Sequence, residues 1–95
     1  MTREERIRET LEKVMKINEG SSMHTPFIQF EVTGGHCNDL CVVVYPDGWH
    51  GLNNTKSDMY TIWLDSFDET VYKKMHEELD RLIEEKAVSY THLRA

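Results

Sequence analysis

Phe27-Ile28-Gln29-Phe30-Glu31-Val32-Thr33, Leu40-Cys41-Val42-Val43-Val44-Tyr45 and Met59-Tyr60-Thr61-Ile62-Trp63-Leu64-Asp65 are three runs with the period-two patterning of β-strands. In the first, Ile28, Phe30 and Val32 point one way and Phe27, Gln29 and Glu31 the other. The second is apolar on both sides, Leu40, Val42 and Val44 against Cys41, Val43 and Tyr45. That pattern marks a central strand, or one covered on both faces. In the third, Tyr60, Ile62 and Leu64 oppose Met59, Thr61 and Trp63. Turn chemistry separates the runs: Gly34-Gly35-His36 begins one turn, and Pro46-Asp47-Gly48 makes another with proline at its second position. The segment from Pro46 to Asp58 is long for a small domain, and loops of that length are often functional. Within it, Trp49-His50-Gly51-Leu52 fits a short fourth strand.

Helical patterns flank this region. From Thr2 to Asn18, Thr2 and Glu5 have capping-box spacing, and Ile7, Leu11, Val14 and Ile17 or Asn18 follow the spacing of one buried stripe. Charged residues fill the opposite face, with Glu9–Lys13 and Glu12–Lys16 able to pair one turn apart. Gly20 suits the left-handed position just past a helix end, and Pro26 sets the following segment extended. After the strands, Ser66 and Glu69 form a second capping box, with Asp68 favourable near the helix start. The second helix is expected from Phe67 to about Lys86, burying Val71 or Tyr72, Met75, Leu79, Leu82 and Ile83. The expected fold is therefore α+β: helix, three-stranded antiparallel sheet, helix, with both helices on one face, in a single domain over residues 1–87.

At 95 residues the chain has room for one core. An apolar fraction of 39% with 29% charged residues is that of a globular domain, not a disordered one. No apolar run approaches the roughly 20 residues of a membrane span. The charged start Met1-Thr2-Arg3-Glu4-Glu5-Arg6 lacks the apolar core of an export signal, and Cys37 and Cys41 are too few for a disulfide framework. The expected compartment is reducing cytoplasm, that of a bacterial host cell. The formal charge of −6 repels phosphate backbones and argues against direct nucleic-acid binding, while permitting docking on a basic protein surface.

The chemistry-bearing residues do not converge on a catalytic pattern. His36-Cys37-Asn38-Asp39-Leu40-Cys41 has one Cys pair but no second pair to complete a tetrahedral zinc site; His24 or His50 would have to reach in from distant loops. Cys41 lies between valines, an environment that raises a thiol pKa, and Cys37 next to His36 has no oxyanion hole. Asp39, Asp47, Asp58, Asp65 and Asp68 each sit where turns or helix caps already call for them. Gly34-Gly35 leads into a strand, not into the helix that a phosphate loop requires. We expect no enzyme activity, metal or cofactor.

The element order resembles that of the double-stranded-RNA-binding domain over most of the chain. That resemblance implies a basic cluster at the start of the second helix, where Lys73-Lys74 stands. Here the pair is flanked by Asp68, Glu69, Glu77 and Glu78, which argues against RNA contact. The closing residues Val88-Ser89-Tyr90-Thr91-His92-Leu93-Arg94-Ala95 resemble the translation of a sequencing-library adapter. That likeness implies a metagenomic source and a non-native or frayed tail. Size and acidity together resemble those of phage and mobile-element accessory proteins, among which inhibitors of bacterial defence are common.

The feature that points most directly to function is the sheet face the helices are expected to leave open. It carries Phe27, Cys41, Val43, Tyr45, Met59 and Trp63, completed by Gln29, Glu31 and Thr61, with Trp49 and His50 added by the loop. So many apolar and aromatic groups on one open sheet mark a surface that meets a partner. The expected partner-binding residues are Phe27, Val43, Tyr45, Trp49, His50 and Trp63. The expected function is a small binding protein that inhibits bacterial defence by docking on a host protein, as anti-CRISPR proteins of the mimic kind do with an acidic body (Glu4, Glu12, Glu31, Asp65, Asp68, Glu77 and Glu78). Two alternatives are an oligomer that sequesters a nucleotide immune signal by stacking it on Trp49 or Tyr45, and a structural homodimer.

Overall fold

A computed structural model describes residues 2–20, 25–34, 38–48, 56–64 and 68–94, with the side chains of the last helix described as far as Ala87. Its elements run α1 (Arg3–Asn18), β1 (Phe27–Thr33), β2 (Asp39–Tyr45), β3 (Asp58–Trp63) and α2 (Glu69–Arg94), an α+β fold. The sheet has order β1-β2-β3 and is antiparallel throughout. Among the described residues, no helix is long and apolar enough to cross a membrane.

Local sequence fixes the boundaries. Thr2 caps α1: its hydroxyl accepts the Glu5 N–H at 3.1 Å while the Glu5 carboxylate takes the Thr2 N–H at 3.2 Å. That pairing holds the Glu5 carboxyl below its ordinary pKa. Gly20 adopts φ 67° just beyond α1, a conformation only glycine takes cheaply. The β2 exit turns at Pro46-Asp47-Gly48, closed by the Gly48 N–H on the Tyr45 carbonyl at 3.2 Å with Gly48 at φ 83°.

The central strand carries the core. Leu40, Val42 and Val44 are fully buried, joined by Ile28, Ile62, Val14 and Ile17 and by Tyr72, Met75, Leu79 and Leu82 of α2. Burying each large aliphatic side chain is worth about 1.5–3 kcal/mol, enough in sum to hold a small fold. Every sheet residue in this cluster has an even number, so both helices cover the even side. The helices run parallel to each other: Arg6 pairs with Glu69 at 2.8 Å near their starts and Lys13 with Asp80 at 2.8 Å further on. Near their ends, Lys86 donates to the carbonyls of Lys16 (2.7 Å), Ile17 (3.4 Å) and Glu19, closing the open end of α1.

Four details depart from the sequence reading. In α1 the buried stripe is Thr10, Val14 and Ile17, whereas Leu11 is 38% exposed. The stripe is rotated because a buried polar cluster between the helices claims Thr10. Val32 lies on the helix side yet is 41% exposed. The reason is that α1 crosses the sheet obliquely, from Arg3 against Asn38 at the start of β2 to Asn18 against Ile28, leaving the far end of β1 uncovered. The cap of α2 is Asp68, whose carboxylate accepts the N–H groups of Thr70 (3.0 Å) and Val71 (3.3 Å), where Ser66, outside the described residues, was expected. Finally, α2 continues to Arg94, past the expected end near Lys86, because nothing in 86–94 is a glycine or proline stop. Phe67, Asp65 and the suggested fourth strand at Trp49–Leu52 lie outside the described residues.

Candidate binding face

The strand register lays out the odd-numbered side of the sheet row by row. Phe27 stands beside Tyr45; Gln29, Val43 and Met59 form the next row; Glu31, Cys41 and Thr61 the third; Thr33, Asp39 and Trp63 the last. No helix covers this side among the described residues, since the sheet residues packed with the helices in the core cluster are all even-numbered.

Exposure along the face is uneven. Met59 is 69% exposed and Trp63 52%, both on β3. Phe27 and Tyr45 are half-buried because their rings stack, with centroids 4.5 Å apart and planes 17° from parallel. Cys41 is half-buried, and Val43, between Gln29 and Met59, is only 8% exposed. Val43 is thus the floor of the face and not a projecting contact. The patch expected from sequence is on the side foreseen, but its outward apolar groups are Met59 and Trp63, with the Phe27–Tyr45 stack at the opposite corner. Trp49 and His50 lie outside the described residues.

Polar groups frame this surface. The Tyr45 hydroxyl reaches the side-chain amide oxygen (Oε1) of Gln29 at 3.4 Å, and the Thr61 hydroxyl approaches the Cys41 sulfur at 3.9 Å. Glu31 is exposed and Asp39 half-buried, and one Asp39 carboxylate oxygen is shut off from water without a hydrogen-bond partner. Lysine and arginine are absent from the described rows of the face. Its charge is therefore negative, in keeping with the chain as a whole.

The acidic residues grouped as one body in the sequence reading do not share a surface. Glu4, Glu12, Asp68 and Glu77 are exposed on the helical side, Glu31 is on the open sheet, and Asp65 lies outside the described residues. Glu78 is half-buried and accepts a hydrogen bond from the Tyr60 hydroxyl. Burial raises the Glu78 carboxyl above its ordinary pKa, with Asp58 adding to the rise, and burial together with Glu78 pushes the Tyr60 hydroxyl up. Lys73 and Lys74 are exposed on the first turns of α2.

A second polar cluster, between the helices, was not foreseen. His76 and Thr10 are both buried and 2.9 Å apart at Nε2 and Oγ1. The Thr10 hydroxyl donates to the Arg6 carbonyl at 2.9 Å, so it must accept from His76, which assigns the proton to Nε2. Nδ1 is then the acceptor for Lys13 Nζ at 2.9 Å, with a Glu9 carboxylate oxygen at 3.5 Å and the Tyr72 ring 4.2 Å away. Burial, then the Lys13 charge, hold the His76 pKa below its ordinary value. The signal was present in the sequence: Thr10, Val14 and Ile17 have the same stripe spacing as Ile7, Leu11 and Val14, but a stripe sought among apolar residues passes over a threonine.

Among the described residues, no group of three or more His, Cys, Asp or Glu side chains is placed to hold a metal ion. Compared with known proteins, the chain matches no family model, no curated protein and no solved structure.

Proposed function

We propose that this chain is a non-enzymatic binding protein that docks on another protein through the odd-numbered face of its sheet. The observation that carries this reading is the exposure of Met59 and Trp63, at 69% and 52%, on a sheet face that neither helix covers. A tryptophan and a methionine held outward on a rigid strand present large apolar area at small ordering cost, which is what interface anchors require. The acidic frame of Glu31 and Asp39 favours a partner with basic residues around its own apolar contact. The scatter of helical acids over the molecule gives less support to charge mimicry as the main mechanism. The nucleotide-sequestering alternative is less favoured because Phe27 already occupies one side of the Tyr45 ring.

As to biological role, we propose an accessory protein of a phage or mobile element whose partner is a bacterial defence protein. That assignment rests on size and acidity. The test is capture from bacterial lysate with three baits: the wild type, Trp63→Arg and Glu77→Lys. Docking through the sheet requires a partner retained by the wild type and Glu77→Lys baits and lost from Trp63→Arg. A partner lost only from Glu77→Lys would move the site to the helices.

A further inference from the structure

We infer that the occupant of the open face is an amphipathic helix with a basic flank, supplied by the partner protein. This rests on the docking reading above and narrows it to one kind of ligand. The apolar groups of the face do not fill it evenly. They run along a diagonal, from the Phe27–Tyr45 stack on β1 and β2, over Val43, to Met59 and Trp63 on β3. Off this diagonal, at the corner formed by β1 and the start of β2, stand Glu31 and Asp39.

A sheet of three strands is only about 10 Å between its outer strands, close to the diameter of one α-helix with its side chains. From the Phe27 row to the Trp63 row is roughly 20 Å along the strands, the length of roughly 14 helical residues. One helix laid on the diagonal therefore covers the apolar groups from end to end. Its apolar stripe would seat over Val43, the recessed floor, between the Phe27–Tyr45 stack and the outward Met59 and Trp63 side chains. The flank nearer β1 would then face Glu31 and Asp39, and Lys or Arg there supplies the complementary charge. The result is a third layer, giving the sheet on its odd side the helical cover it already has on its even side.

Charge also separates this occupant from two others. A second copy docked through the same face would bring the same acids, with no lysine or arginine in the described rows of that face to meet them. An acidic helix, or a nucleic acid, would place like charge against Glu31 and Asp39.

The test is selection of a displayed library of random peptides, each roughly 16 residues long to match the span, on the immobilised full chain. Binders retained by Trp63→Arg are discarded. The inference requires the surviving sequences to share apolar residues at helical i, i+3, i+4, i+7 spacing with Lys or Arg on one flank. A synthetic representative should gain helical circular dichroism on binding. It should lose about tenfold or more in affinity towards Glu31→Lys, and regain it when its basic residues are changed to Glu. Survivors that are acidic, that bind as extended strands, or that are indifferent to Glu31→Lys would overturn it. So would the absence of any survivor. If the lysate experiment still yields a partner dependent on Trp63, only the helix assignment falls. If Trp63→Arg changes neither result, the docking reading falls with it.

Discussion

The side-chain amide of Asn18 lies against the backbone of Ile28 as another strand would, accepting the Ile28 N–H at 2.7 Å and donating to its carbonyl at 2.9 Å. Both backbone groups of Ile28 point away from β2, so the last residue of α1 closes part of the free edge of β1. Replacing Asn18 by Ala removes both bonds and opens the edge. The expected cost is about 1–3 kcal/mol in chemical denaturation. Asn18→Asp retains only the acceptor and should fall between the two; a Asn18→Ala variant as stable as the wild type would show that this contact does not hold β1 to the helix.

Lys86 joins the two helix ends in a similar way, by donating to carbonyls that α1 cannot satisfy within itself. Lys86→Met keeps the aliphatic stem and removes the donor. We expect a loss of about 1 kcal/mol, read as a lower melting temperature, with no change in the sheet-face contacts. An unchanged melting temperature would mean that water caps these carbonyls equally well.

The cluster around His76 predicts a pH dependence of known sign. From α1 it is faced by Thr10, Lys13 and Glu9, and from α2 by Tyr72 and Asp80. Its folded pKa lies below the unfolded value of 6.5, so below pH 6.5 the unfolded chain binds the extra proton more readily. The stability contributed by neutral His76 is therefore present above pH 6.5 and is lost as the pH falls towards the folded value. Protonated Nδ1 would also face the Lys13 ammonium, with Glu9 as the nearest acceptor. Glu78 works in the opposite direction: its folded pKa is raised above 4.5, so its contribution is lost as pH rises through that higher value. The difference between wild type and His76→Gln isolates the histidine. Urea unfolding at pH 7.5 and 5.5 should show the wild type losing more stability than the variant, and equal losses would refute the assignment.

The alternation on β3 gives a sharp contrast between neighbours. Ile62 is 1% exposed and Trp63 is 52% exposed. Trp63→Arg should change the free energy of unfolding by no more than about 0.5 kcal/mol, whereas Ile62→Arg buries an unpaired charge and should abolish folding. Circular dichroism and thermal melting of the two variants check this directly. Unfolding of Trp63→Arg would place that side chain in the core.

The helix–sheet–helix order and the side of the sheet on which the helices lie were legible in the sequence, for a physical reason. A one-residue error of facing would have exposed Leu40, Val42, Val44 and Ile62 together. What could not be read was how far each odd residue projects. Val43 and Trp63 have the same parity, but Val43 lies on the central strand between Gln29 and Met59, while Trp63 stands on an edge strand. The His76–Thr10 pair was missed because hydrophobic periodicity gives no credit to polar residues that satisfy each other across an interface. Asp68 was legible as favourable to α2, but its capping role depended on where the chain begins to coil.

Site-specific photocrosslinking in bacterial cells tests the central claim most directly. A photoreactive phenylalanine would be placed singly at Met59 or Trp63 on the open sheet, and at Glu12 or Glu77 on the exposed sides of the helices. The account predicts one discrete adduct of the same mass from both sheet positions and none from the helix positions. Adducts from Glu12 or Glu77 with none from Met59 and Trp63 would contradict it.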